Sequence, residues 1–99
     1  MPRPGRTQLA ILEHLAQVAV IQKEMARDKH KKFEGGWTDY DALRQHLNPR
    51  QRRALDALVA YGAGTFVQLN LVPAGSWEIR ISRAGVEALE THLGREIMA

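Results

Sequence analysis

The chain of 99 residues suits one domain with a modest core, and its 44% hydrophobic content is that of a globular rather than a disordered sequence. It has no cysteine, which excludes a disulfide framework and any Cys-based zinc site, and no apolar run approaches the roughly 20 residues of a membrane span. The net charge of +3 is unevenly placed: residues 1–53 carry 11 Lys/Arg against 6 Asp/Glu, and residues 54–99 carry 3 against 5. Such asymmetry points to an anionic partner on one side, with nucleic acid the commonest choice.

Residues 1–6, Met1-Pro2-Arg3-Pro4-Gly5-Arg6, read as a flexible arm, because two prolines and a glycine oppose a helix. They lack the apolar stretch of a signal peptide, so a cytoplasmic location is expected. Residues 7–99 read as a single domain. Within it, residues 7–29 form one long helix capped by Thr7, on the order of 35 Å from end to end. Leu9, Ile11, Leu12, Leu15, Val18, Ala19, Ile21 and Met25 cover an arc broader than one packing face requires. A second buried surface explains that breadth, and a symmetric dimer is its usual form. Leu9, Leu12, Leu15, Val18, Ile21 and Met25 are therefore the expected dimerisation residues. The helix runs out in Arg27-Asp28-Lys29-His30-Lys31-Lys32, whose basic side chains either complement the helix dipole or, for Lys29, Lys31 and Lys32, neutralise phosphates.

Phe33-Glu34-Gly35-Gly36-Trp37 reads as a turn in which a short strand is possible. Thr38 then caps the next helix, with Asp41 three residues later, and Tyr40, Leu43 and Leu47 form its inner face. Asn48-Pro49 starts another helix almost at once, and two short helices joined so tightly make a helix-turn-helix. Asn48 is a good N-cap, Pro49 suits the first helical position, and Gly62 and Gly64 end the helix. Leu55, Leu58, Val59 and Gly62 fall on its apolar back. Arg50, Arg53, Ala57 and Ala60 fall on the front, with Arg52 on the flank. Charge at the N-terminal end and low bulk along the face suit a helix laid in a DNA major groove. The same pattern also fits a solvated surface helix.

After Gly64 the period changes from helical to alternating. Val67, Leu69 and Leu71 point one way, and so do Trp77, Ile79 and Ile81 across a turn at Val72-Pro73-Ala74-Gly75-Ser76. A hairpin must put its apolar sides on one face. The expected register pairs Leu71 with Trp77, Leu69 with Ile79 and Val67 with Ile81, and on the outer face Gln68 with Arg80 and Asn70 with Glu78. Ser82 caps a last helix with the stripe Val86, Leu89, Leu93. Gly94 breaks it, and Ile97 in the tail is an extra contact.

The order helix, helix-turn-helix, hairpin, helix resembles the winged-helix DNA-binding domains, among them the MarR-like and PadR-like regulators. Two stretches carry the resemblance. Leu55-Asp56-Ala57-Leu58-Val59-Ala60-Tyr61-Gly62 is similar to the end of their recognition helix. Ile81-Ser82-Arg83-Ala84-Gly85-Val86-Glu87-Ala88-Leu89-Glu90 is similar to their entry into the helix after the wing. The resemblance covers about residues 38–93. It implies an α+β, mainly helical winged helix with a long N-terminal helix, a helix-turn-helix, a β-hairpin wing and a C-terminal helix. It also implies a dimeric transcriptional regulator on double-stranded DNA. Arg50, Gln51, Arg52, Arg53 and Ala57 would be the recognition set. The tip Pro73-Ala74-Gly75-Ser76 departs from the family in having no Lys or Arg, so the basic residue that family wings often place in the minor groove has no counterpart at this tip. Winged helices also serve as protein-interaction adaptors without direct DNA binding, the alternative reading.

His14, His30, His46 and His92 show no ligand spacing, so no metal is expected. No nucleophile elbow, P-loop or Gly-rich phosphate motif is present. The chain is expected to be neither an enzyme nor the holder of a cofactor.

Overall fold

The computed structural model describes residues 4–25, 35–62 and 65–97. Its longest element is α1 (Arg6–Met25). That helix begins one residue earlier than Thr7 and is capped differently. The Gly5 carbonyl accepts the Leu9 N–H at 2.8 Å, and Gln8 Oε1 reaches back to accept the Gly5 N–H at 2.7 Å. Gln8 thus makes the returning half of a capping box, so Gly5 and Arg6 belong to the helix start rather than to an arm. The expected continuation to residue 29 lies outside the described residues.

The broad apolar arc of α1 divides in two. Ile11, Leu12, Leu15, Ala16 and Ala19 are buried, whereas Ile21 and Met25 stand 56% and 78% exposed. Leu12 and Leu15, expected at a dimer interface, are each 0% exposed within this single chain. A side chain with no accessible surface has none left to bury against a second copy, so both are corrected to the chain's own core. Leu9 packs partly buried against that same core, and Val18 is half-buried.

The remaining elements are β1 (Thr38–Asp39), α2 (Tyr40–Gln45), α3 (Pro49–Gly62), β2 (Val67–Leu71), β3 (Trp77–Ile81) and α4 (Arg83–Leu93). They make an α+β fold whose three-stranded antiparallel sheet has the order β1-β3-β2. The core gathers Leu12 and Leu15 from α1, Leu43 from α2, Leu55 and Leu58 from α3, Val67, Ile79 and Ile81 from the sheet, and Leu89 from α4. Each fully buried Leu or Ile stabilises the fold by about 1.5–3 kcal/mol relative to exposure.

The hairpin has the expected register throughout, from Val67 opposite Ile81 to Leu71 opposite Trp77. Its outer face is tied by polar pairs: Arg80 Nε donates to Gln68 Oε1 at 2.6 Å, and Asn70 Nδ2 to Glu78 Oε1 at 2.9 Å. Gly75, at φ 88°, donates its N–H to the Val72 carbonyl within the turn. Leu71 and Trp77 extend the apolar row past the core and stand 53% and 44% exposed.

Thr38 does not cap α2. It pairs with Ile79 as part of β1, and Asp39 takes the cap, its Oδ1 accepting the Ala42 N–H at 2.9 Å. Asp39 wins because it directly precedes Tyr40, the first residue of α2, and its carboxylate lies at the dipole's positive end. Gln22 of α1 holds the segment that feeds β1: its Oε1 accepts from Gly36 N at 2.8 Å and its Nε2 donates to the Trp37 carbonyl at 3.1 Å. The Arg80 guanidinium lies 4.6 Å from the centroid of the Trp37 ring, a cation–π contact.

α4 starts and stops as expected. Ser82 Oγ accepts the Gly85 N–H at 3.1 Å while its hydroxyl donates to the Thr65 carbonyl. Gly94 adopts φ 71° and closes the helix onto the Glu90 carbonyl. Ile97 packs against the core, and its N–H donates to Glu90 Oε2.

Candidate nucleic-acid interface

The α2–α3 pair is joined by His46-Leu47-Asn48 and ordered by three sets of contacts, one local to the start of α3 and two between the helices. The first is a reciprocal capping box at the start of α3. Asn48 Oδ1 accepts the Gln51 N–H at 2.8 Å, and Gln51 Oε1 accepts the Asn48 N–H at 2.9 Å. The second is Arg52, whose Nε donates to the Arg44 carbonyl at 3.0 Å and whose Nη2 donates to the Gln45 carbonyl at 3.3 Å. These are last-turn carbonyls of α2: the Arg44 carbonyl also accepts the Leu47 N–H at 3.2 Å, the guanidinium adds a donor at each, and its charge suits the helix dipole. The third is a bidentate ion pair in which Arg44 Nε and Nη2 donate to Asp56 Oδ1 and Oδ2 at 3.2 and 3.1 Å. The Tyr40 hydroxyl adds a donation to Asp56 Oδ1 at 3.5 Å.

Charge states follow from these contacts. The hydrogen bonds from Arg44 hold the Asp56 carboxyl below its ordinary value, and Asp56 in turn raises Arg44. Burial first, and the Asp56 carboxylate second, raise the Tyr40 hydroxyl. Near neutral pH the cluster is therefore one carboxylate, one guanidinium and one neutral phenol. Both charged side chains remain nearly half-exposed, at 43% for Arg44 and 47% for Asp56, so water screens the pair and its worth to stability is small.

At 3.6 residues per turn, Arg50, Arg53, Asp56, Ala57 and Ala60 share one outward arc of α3. Arg50, Arg53, Asp56 and Ala60 are exposed and Ala57 is half-buried, while Leu55 and Leu58 are buried behind them. Among the described residues no other side chain pairs with Arg50 or Arg53. The arc thus offers two available guanidiniums near the N-terminal end and small side chains beyond them.

The other residues expected to contact DNA stand differently. Gln51 is half-buried with its carbonyl oxygen engaged in the capping box, and Arg52 is half-buried with its guanidinium turned inward on α2. Both act inside the α2–α3 pair in this structure. Lys29, Lys31 and Lys32 lie outside the described residues. Arg44 was given no role from the sequence, and Tyr40 was assigned only to the inner face of its helix. Arg44 and Asp56 are 12 residues apart on two helices, and no periodicity brings them together; only the crossing of α2 and α3 does.

Among the described residues no group of three or more His, Cys, Asp or Glu is placed to hold a metal ion, and no helix is long and apolar enough to cross a membrane. Models of known protein families give no match to this chain, and searches of curated proteins and of solved structures give none either.

Proposed function

We propose that this chain is a winged-helix, sequence-specific binder of double-stranded DNA that acts as a dimeric transcriptional regulator. The observation that carries the reading is the outward arc of α3. Arg50 and Arg53 are exposed there without protein partners, on a helix whose orientation is tied by Arg52 and by the Arg44–Asp56 pair. A helix that reads base edges must present its donors from a fixed frame, and arginine can bind guanine O6 and N7 bidentately. The sheet order β1-β3-β2, with the hairpin following α3, supports the same assignment. In this reading α3 enters the major groove. Arg50 and Arg53 approach bases, and Lys29, Lys31 and Lys32 contact phosphate.

The test uses a duplex selected from a random pool and its scrambled counterpart, measured across a salt series. Arg53→Ala is expected to lower affinity for the selected duplex by about 1–3 kcal/mol more than for the scrambled one. Lys31→Ala is expected to weaken both alike and to reduce the salt slope by about one unit. An unchanged selected-to-scrambled ratio in both Arg50→Ala and Arg53→Ala would remove α3 as the reader.

The second reading, a protein-interaction adaptor, is favoured by the exposed Leu71 and Trp77 at the uncharged hairpin tip. An adaptor shows little duplex binding at either low or moderate salt, whereas binding through this basic face weakens steeply as salt rises.

A further inference from the structure

We propose that Asp56 limits the nonspecific DNA affinity of this surface by holding Arg44 back from phosphate, an inference that rests on the DNA-binding reading above. Asp56 is exposed on the outward arc of α3, three residues beyond Arg53 and beside Ala57 and Ala60. Arg44 reaches it from the last turn of α2 and closes on both carboxylate oxygens. The Tyr40 hydroxyl reaches the same carboxylate at 3.5 Å. Both charged groups stay open to solvent, so the pair stands at the surface a duplex approaches, not beneath it.

The consequence is electrostatic. A free guanidinium against a phosphate releases a bound counterion, and each phosphate so neutralised adds to sequence-independent affinity. Arg44 cannot do this at no cost. It must either give up a bidentate, charge-assisted pair or bring a carboxylate up to a polyanion. Arg50 and Arg53 have no such restraint. The surface therefore carries two available cations on α3 and one withheld cation on α2. Phosphate contacts carry no sequence information directly, so withholding Arg44 lowers background binding without removing a base contact. Specificity is a difference of affinities, and Asp56 widens it from the unfavourable side.

The experiment compares the full-length wild type, Asp56→Asn, Arg44→Gln and the double variant, each on the selected and the scrambled duplex across a salt series. Circular dichroism melts establish that all four are folded. Asp56→Asn is expected to bind scrambled duplex more tightly, to steepen the salt slope by about 0.9 for one added phosphate contact, and to narrow the selected-to-scrambled ratio. In the Arg44→Gln background the same change is expected to leave the slope where it was. Two results overturn the proposal: an unchanged slope in Asp56→Asn, or an equal steepening with and without Arg44, which makes Asp56 an ordinary surface charge. Wild-type protein that binds neither duplex removes the DNA-binding reading itself, and this inference with it. Salt-dependent wild-type binding combined with a flat Asp56→Asn response sinks only the role of Asp56.

Discussion

Gly85 is where a single missing side chain matters most. A Cβ there would drive into the Phe66 carbonyl and crowd Ile81 Cγ1 at 2.8 Å. The Phe66 carbonyl cannot yield easily, because it accepts the Ser82 N–H at 2.9 Å while the Ser82 hydroxyl holds Thr65. So the glycine inside the Ser82-Arg83-Ala84-Gly85 entry to α4 reflects a close approach of backbone to helix, not a need for unusual dihedrals. Gly85→Ala is expected to destabilise the fold by about 1–3 kcal/mol, the usual cost of overpacking, in urea unfolding. Alanine at Gly94, where nothing lies within 4 Å of the added carbon but φ is +71°, meets strain of backbone origin instead. Equal stability of Gly85→Ala and wild type would mean that the strand end and α4 can move apart freely.

At the scale of elements, α2 has only six residues, too short to hold a fixed angle through its own helical hydrogen bonds. Its orientation against α3 comes from side chains. Arg52 is the central one, because its fork satisfies two α2 carbonyls at once. Arg52→Ala leaves the Gln45 carbonyl to water and the Arg44 carbonyl to the Leu47 N–H alone, and is expected to cost about 1 kcal/mol of stability. Arg52→Lys is expected to recover only part of it, since an ammonium lacks the planar fork. Arg50→Ala, on the exposed arc, is expected to leave the melting temperature unchanged. Thermal melts of the three variants check this. If Arg52→Ala melts like wild type while losing DNA affinity as Arg53→Ala does, Arg52 is a contact residue and its inward pose is not the working one.

For the whole molecule, the division of α1 decides which residues remain for a partner. Leu12 and Leu15 are consumed by the chain's own core, while Ile21 and Met25 lie open and Val18 is half-buried. Leu15→Ala is therefore expected to lower stability by about 2–5 kcal/mol as a core deletion. Ile21→Glu is expected to leave the fold intact and to convert a dimer to monomers, because an interface would have to bury an unpaired charge. Urea unfolding checks the first, and sedimentation at tens of micromolar checks the second. Wild-type protein sedimenting as a monomer removes the dimer proposal, along with its expectation of half-sites about 34 Å apart.

Local chemistry was enough for much of this. Asn48-Pro49 and Ser82 announced helix starts, Gly94 a helix end, and period-two alternation allowed one hairpin register, because a one-residue slip would turn every apolar side chain to water. The exposed arc of Arg50 and Arg53 was legible for the same reason: helical periodicity is a property of neighbours in sequence. What local chemistry could not reach was competition between partners distant in the chain. Thr38 read as the cap until pairing with β3 set the start of α2 at Tyr40, which left the cap to Asp39, the residue directly before it. Leu12 and Leu15 suited an interface as well as a core until Leu55, Leu58 and Leu89 closed over them. Arg52 read as a DNA contact on the flank of its helix until the crossing of α2 and α3 turned its guanidinium onto the Arg44 and Gln45 carbonyls, and nothing near Asp56 in sequence announced Arg44 as its partner. Backbone periodicity assigns a residue to a face; only the packing of elements far apart in sequence decides what that face meets.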